Sequence, residues 1–315
     1  MTPVLDAEDV FALGPVAAVA AVGDALRAGL DPDRDVPRAI LPLANGQGLL
    51  MPAEFGGWFG VKVATVAPGN PALGLDRINA TYLLHDGETL RPAAILDGIA
   101  LTTLRTPAVS VAAGLDRLRA LANRSGDGLT LVVFGVGPQG EGHVRTVRAH
   151  VPVADVTAVT RRGGSVPGWA DRHLAVDDSA LAERVRAADV VVTATSARSP
   201  VVDGRLVRDG ALVLAVGSHE PEVRELDGAL LGRARVVVES RESALREAGE
   251  IVLAVREGRL DPDAPLTMAE LVGTVDLGSH RASADDRPTV VKTTGMAWED
   301  LVVAVAAYQE WGRKA

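Results

Sequence analysis

Five continuous apolar runs of strand length constrain the second half of this chain more than any other feature. They are Leu129 to Phe134, Asp155 to Thr160, Asp189 to Thr195, Ala211 to Val216 and Arg235 to Val238. A strand with one wet face alternates apolar and polar residues, whereas unbroken apolar runs suit strands covered on both faces, as in a parallel sheet. Helical segments separate several of them, among them Gln139 to His150, Ser179 to Ala187 and Ser240 to Arg256. Alternation of this kind predicts an α/β fold built on a doubly wound sheet.

Before about residue 125 the pattern differs. Short strand-like pieces, Ala39 to Leu43, Gly48 to Met51, Gly60 to Ala67 and Asn79 to His85, are separated by the turn signals Asn45-Gly46, Pro68-Gly69-Asn70-Pro71 and Asp86-Gly87. Asp86-Gly87 is placed to close a hairpin between Thr81-Tyr82-Leu83-Leu84 and Thr89-Leu90-Arg91. A helical run follows from about Asp97 to Leu121, and the alanine-rich stretch Val16 to Ala28 reads as a packed helix. The tail from Thr293 to Trp311 is another amphipathic helix, expected to return to the first domain. The predicted boundaries are therefore 1–120, completed by 293–315, and 121–292.

Composition narrows the function classes. With 47% hydrophobic residues in 315, a sizeable core is available. A net charge of −9 and only 3% aromatics argue against a nucleic-acid surface. The absence of cysteine excludes disulfides, a thiol nucleophile and thiolate-bound zinc. No two of the six histidines have the short helical spacing of a zinc site. No apolar run of spanning length escapes a charge or a breaker, and the N-terminal residues lack a signal-peptide plan. A cytoplasmic protein with no membrane partner is expected. His85, His143, His150, His173 and His280 read as structural or surface residues, and Asp285-Asp286-Arg287 as a solvated loop.

The first apolar run leads directly into Gly135-Val136-Gly137-Pro138-Gln139-Gly140, and a helix opens there. Unrelated glycine-rich loops share this spacing, but its position between strand and helix fits the phosphate-binding turn of a Rossmann-type dinucleotide-binding domain. The first glycine permits the tight turn and the second lets a pyrophosphate approach the backbone. The third allows close packing of helix on strand, and the helix N-terminus supplies amides and partial positive charge. About 20 residues further on, where an acid would hold a ribose hydroxyl, stand Thr160, Arg161 and Arg162. Two guanidinium groups in place of a carboxylate favour a 2′-phosphate, hence NADP over NAD, although two arginines are also what an ordinary exposed loop carries. Thr195, Gly217 and Ser218 end the next apolar strands, where a dinucleotide would lie, but Ser and Thr there also serve as helix caps.

Three cations sit among apolar neighbours: Arg38, Lys62 and Arg105. Any one of them could simply point to solvent. Together with a cofactor site they suggest a carboxylate clamp, arginine being suited to bidentate carboxylate binding, and a partly desolvated lysine can act as acid or base.

Several segments in order carry a resemblance. They are Val61-Lys62-Val63 through Pro68-Gly69-Asn70-Pro71, Leu96 through Thr106, Gly135-x-Gly137-x-Gln139, Ala188 through Thr195, Val216-Gly217-Ser218-His219-x-Pro221, Arg224-Glu225-Leu226-Asp227, and Gly295 through Leu301. Over nearly its whole length the chain resembles the ornithine cyclodeaminase and mu-crystallin family. The resemblance implies a homodimer whose split α+β domain binds substrate and dimerises, with the Rossmann domain inserted. It implies a small amino- or imino-acid substrate and NADP or NAD as cofactor, and it assigns Arg38, Lys62 and Arg105 to the substrate's carboxylate and amino group. Gly295 is expected beside the cofactor.

Two departures separate this chain from the cyclodeaminase pattern. His219 stands where that pattern has an aspartate for the distal amine, and Leu49 where it has a glutamate. Without these carboxylates, ring closure on ornithine loses its best-suited groups. The reading is an NAD(P)H-dependent reductase of imino acids, reversible as an amino-acid dehydrogenase, with His219 tuning protonation or lining the pocket. The alternatives are ornithine cyclodeaminase itself and a mu-crystallin-like NADP-binding protein with little catalysis.

Overall fold

The computed structural model describes residues 2–273 and 286–314. His280 and Asp285 lie outside the described residues. The chain divides into two units, Met1–Thr106 with Gly295–Ala315, and Pro107–Thr294.

The first unit opens with β1 (Val4–Leu5), α1 (Ala7–Phe11) and α2 (Gly14–Arg27). Five strands follow: β2 (Ala39–Leu43), β3 (Gly46–Phe55), β4 (Trp58–Val66), β5 (Ile78–Asp86) and β6 (Pro92–Asp97). They form one sheet in the order β1-β6-β5-β4-β3-β2, antiparallel except for the β1–β6 pair. The period-two rule is visible in β4, where Gly60, Lys62 and Ala64 are buried and Val61, Val63 and Thr65 are less so. Asp86-Gly87 does join β5 to β6, but the second strand starts at Pro92 rather than Thr89. The Asp86 carboxylate accepts hydrogen bonds from the backbone and hydroxyl of Thr89, and Leu90 adopts φ 57°, so the turn takes up residues that the sequence gives to the strand.

Helix α3 (Gly98–Arg124) follows β6; Thr106 is its last residue in the first unit and Pro107 its first in the second. It is long and apolar enough to cross a membrane by length and composition, but 61% of its apolar window is buried inside the protein.

In the second unit the strands are β7 (Leu129–Phe134), β8 (Val153–Thr160), β9 (Arg172–Ala175), β10 (Val190–Thr193), β11 (Leu212–Ala215), β12 (Arg235–Val238), β13 (Leu266–Thr267) and β14 (Thr289–Lys292). The helices are α4 (Pro138–Arg148), α5 (Leu181–Ala187), α6 (Gly228–Arg233), α7 (Arg241–Glu247), α8 (Gly249–Arg256) and α9 (Met268–Gly273). All eight strands are parallel, in the order β13-β12-β14-β11-β10-β7-β8-β9. Val190, Val191 and Val192 in the centre are fully buried, and each such side chain contributes about 1.5–3 kcal/mol. The order reverses between β7 and β10, which is where ligands of open α/β sheets bind. The expected helix from Ser240 to Arg256 is two helices, because Ala248 is extended (ψ 98°) and a Cβ on Gly249 would overlap the Val223 carbonyl oxygen.

The chain ends in α10 (Ala297–Lys314), which packs on β3, β4 and β5 and on α1 and α2 of the first unit. Its buried stripe includes Ala297, Leu301 and Ala304, and it also buries Trp298, Glu299 and Asp300.

Candidate active site

The charged centre of the first unit is assembled by three elements. Lys62 projects from β4 on the same face as its cross-strand neighbours Met51 and Tyr82, the face on which α10 lies. Asp97 caps α3 by accepting from the backbone of Ile99 and Ala100. A Cβ on Gly98 would come within 2.7 Å of Ala80, so glycine lets this helix start against β5. One turn apart on that helix, Thr102 and Arg105 face the centre. Lys62 Nζ lies 3.4 Å from Thr102 Oγ1 and 2.7 Å from Asp300 Oδ2. Arg105 donates from Nε to Asp300 Oδ1 at 2.9 Å and from Nη1 to Glu299 Oε2 at 2.7 Å.

Arg38 reaches the same place from the segment before β2. Asp35 accepts from the backbone N–H of Ala297 at 2.8 Å and so caps α10, and three residues later Arg38 donates to the Gly295 carbonyl at 2.7 Å. Gly295 has φ +80°, and a Cβ there would sit 2.8 Å from Arg105 Nη1. The structure therefore brings Arg38, Lys62 and Arg105 together around Gly295 and Asp300. Gly295, expected beside a cofactor, touches the two arginines.

Burial sets the protonation of this cluster. Lys62 is only 4% exposed, and desolvation pushes its pKa down to about 8 against the pull of Asp300 in the other direction, with Arg105 adding to the depression. Burial works against the charge of Asp300 as well, but Arg105 and then Lys62 hold its carboxyl below the usual range. Burial raises the Tyr82 phenol well above its ordinary value, with Asp300 and Asp35 adding to the effect. The result is an ammonium lowered to about 8 beside the Arg105 guanidinium.

In the second unit the turn after β7 has the geometry of a phosphate cradle. Gly135 adopts φ +103°, and a Cβ there would overlap the Ala194 carbonyl oxygen at the end of β10. A Cβ on Gly140 would overlap the Gly135 carbonyl and meet Val133 at 3.3 Å, so the third glycine seats α4 against β7. A Cβ on Gly137 would meet nothing within 4 Å. Gly137 is the N-cap of α4 and Pro138 its first residue, so the helix amides open on that unobstructed side. Gln139 lies in the first turn, and its carbonyl bonds Nδ1 of His143, whose buried ring is pushed down to a pKa of about 4 by desolvation. These residues fit a dinucleotide pyrophosphate.

The other cofactor candidates divide into two groups. Arg161 and Arg162 are exposed in the loop after β8, and that loop is tied back where Thr160 Oγ1 meets His173 Nε2 at 2.8 Å. Thr195 and Ser218 instead turn their hydroxyls inward, onto Glu225 and Glu250, each at 2.7 Å. Gly217 is in contact with the same Glu225 carboxylate, which a Cβ would approach to 2.5 Å. His219, next along, is exposed. Leu49 and Met51 share the face of Lys62, while Thr81 pairs with Val63 on the opposite face.

Sequence reasoning missed Glu299, Asp300, Glu225, Glu250 and Lys292. A signal existed for two of them: Asp300 falls on the apolar stripe of a helix, and Lys292 closes the apolar run Thr289-Val290-Val291-Lys292. A charge on a buried stripe implies a buried partner. Among the described residues no group of His, Asp and Glu has the arrangement of a metal site.

A model of the ornithine cyclodeaminase/mu-crystallin family matches residues 17–315. A Delta(1)-pyrroline-2-carboxylate reductase of Bacillus cereus is 33% identical over 285 residues, covering 87% of this chain and 85% of its own. The structure of Thermococcus litoralis Delta(1)-pyrroline-2-carboxylate reductase with NADH and L-proline superposes with a TM-score of 0.81 at 25% identity, over 99% of this chain and 98% of that one. An archaeal alanine dehydrogenase dimer with bound NAD is similar at 28% identity and TM-score 0.80, covering 99% and 97% of the two chains.

Proposed function

Because the chain belongs to the ornithine cyclodeaminase/mu-crystallin family, we propose that it reduces the C=N bond of imino acids with NAD(P)H and runs in reverse as an amino-acid dehydrogenase. The observation that carries this reading is the convergence of Arg38, Arg105 and Lys62 in one unit. A guanidinium is a planar fork suited to bidentate carboxylate binding, and Asp300 and Glu299 orient that of Arg105. Arg38, which donates to the Gly295 carbonyl, binds the substrate carboxylate with Arg105. Lys62 gives the imine nitrogen its proton in the reductive direction and accepts it in the other. The unit 1–106 with 295–315 is the substrate domain, and 107–294 is the cofactor domain.

Gly135, Gly137, Gln139 and Gly140 would hold the pyrophosphate of a nicotinamide dinucleotide at the start of α4, and that cofactor would supply hydride chemistry there. Arg161 and Arg162 hold a 2′-phosphate, which makes NADP the preferred form. The relatives in complex carry NADH and NAD, so the preference is a direct point of comparison.

Leu49 and Met51 on the Lys62 face bound the substrate with apolar side chains. The cyclodeaminase pattern has a glutamate at the position of Leu49, so a cationic substrate side chain would find no partner there. This favours small apolar or cyclic imines. The protein works as a homodimer: β2 leaves Ile40 57%, Leu41 46% and Leu43 53% exposed, an apolar strand at a sheet edge that a second copy would cover.

The test is nicotinamide absorbance on mixing purified protein with NADPH or NADH and Delta(1)-pyrroline-2-carboxylate, its six-membered homologue, or pyruvate with ammonia. Consumption of NADPH faster than NADH supports the reading. Ammonia release from ornithine under NAD, with no imine reduction, replaces it with cyclodeamination.

A further inference from the structure

Glu225 follows β11 in sequence and is fully buried. Its carboxylate is surrounded by four donors. Oε1 accepts from the backbone N–H of Thr195 and from Thr195 Oγ1, each at 2.7 Å. Oε2 accepts from the backbone N–H of Gly217 at 2.7 Å and from Thr193 Oγ1 at 3.0 Å. Thr193 is the last residue of β10 and Thr195 follows it by two, and Gly217 likewise follows the end of the neighbouring β11 by two. One side chain thus joins the carboxyl ends of two adjacent strands beside the switch point.

A second layer holds the first. Glu250, on α8, accepts from the Glu225 backbone N–H at 2.7 Å and from Ser218 Oγ at 2.7 Å. Lys292, at the end of β14, donates to the Ser218 carbonyl at 2.6 Å and lies 3.2 Å from Glu250. Both side chains are buried with Glu225.

We infer that Glu225 is a positioning residue for the cofactor: it fixes Thr195 and Gly217 directly, while Glu250 and Lys292 hold Ser218, and these three residues form the main chain along which the dinucleotide lies. This rests on the reading of the second unit as the cofactor domain. It gives those three residues a different part from direct ligands, since the hydroxyls of Thr195 and Ser218 are directed onto carboxylates. Glu225 itself is buried and acts through the groups it binds.

The hydrogen-bond inventory makes the role sensitive to a single atom. Each carboxylate oxygen accepts one backbone N–H, and a backbone N–H cannot reverse its role. Glutamine has the same shape, but its amide nitrogen would face either the Thr195 or the Gly217 N–H, donor against donor. A residue that only filled volume would be replaced by glutamine without loss.

The experiment is titration of NADPH fluorescence on the whole protein, alongside steady-state KM for NADPH and for the imine. For Glu225→Gln, NADPH Kd and KM are expected to rise at least about tenfold, or about 1.4 kcal/mol, with the imine KM little changed. Thr193→Val removes one hydroxyl donor and both backbone contacts survive, so it keeps the test available if Glu225→Gln does not fold. It is expected to give a smaller rise in the same constant. An NADPH Kd within about twofold of the parent in folded Glu225→Gln protein overturns the inference, as does an unchanged Kd in Thr193→Val where Glu225→Gln does not fold. So does a loss confined to the imine KM. A parent protein that binds neither NADPH nor NADH is a different failure, because it removes the cofactor domain on which the inference stands.

Discussion

Each unit buries a cluster of charges, and the two clusters are satisfied differently. In the first, Lys62 and Arg105 meet Asp300 and Glu299, side chain against side chain. In the second, Glu225 meets two backbone amides and two hydroxyls, and Lys292 meets a backbone carbonyl as well as Glu250. Side-chain pairs leave their members able to titrate and to share a partner with a ligand. A carboxylate bound to main chain fixes the main chain instead. The first arrangement suits proton transfer and carboxylate binding, and the second suits a scaffold that must keep its shape as ligands come and go. The two clusters should therefore fail in different assays.

The largest effect should come from Lys62. Replacement by methionine keeps the bulk and removes the ammonium, and general acid–base groups contribute about 10²–10⁴-fold. Imine kcat/KM should fall by that order with NADPH Kd unchanged. A fall of less than about tenfold would mean that the proton comes from elsewhere, because the loss would lie below the range for such a group.

Asp300→Asn probes the same cluster through its anion. Lys62 and Arg105 would remain buried with one carboxylate fewer, and breaking a buried pair in this way costs about 3–5 kcal/mol. Denaturant unfolding should report that loss. The upward pull of Asp300 on Lys62 also disappears, so the pH dependence of any surviving activity should move to lower pH.

The parent profile follows from the same group. Lys62 titrates at about 8, protonated below and neutral above. As a proton donor it is lost as pH rises, so kcat/KM for imine reduction should fall through about 8, whereas amino-acid oxidation should rise through it. Opposite slopes in the two directions are the signature. Parallel profiles would mean that another group is titrating.

The sequence made the second unit more legible than the first, and the reason is physical. Strands buried on both faces advertise themselves as apolar runs, and β7 and β12 have the bounds their runs predict. The glycine turn is local in the chain, so its spacing survives as a pattern. Lys62, Arg105 and Arg38 could be singled out as cations among apolar neighbours. Their anions could not be assigned, because Asp300 follows Lys62 by more than two hundred residues and only the packing of α10 on β4 joins them. The same holds for Glu225, Glu250 and Lys292, which sit on separate elements and meet only when the parallel sheet has formed. The break at Ala248 was hidden for a similar reason: the Val223 carbonyl against Gly249 comes from a distant loop.

The smallest effect distinguishes the cradle from the frame within the glycine turn itself. A methyl on Gly140 would overlap the Gly135 carbonyl, so Gly140→Ala must shift α4 or β7 and should cost about 1–3 kcal/mol of stability. Gly137 has φ −76° and ψ −178°, a conformation open to any residue, and a methyl there meets nothing in the protein. Gly137→Ala should therefore leave unfolding within about 0.5 kcal/mol of the parent. What the methyl does obstruct is the side on which the α4 amides open. NADPH Kd should rise in this variant with the imine KM and the melting temperature unmoved. If Kd also stays put, the pyrophosphate does not approach over Gly137, and the unobstructed space there belongs to solvent.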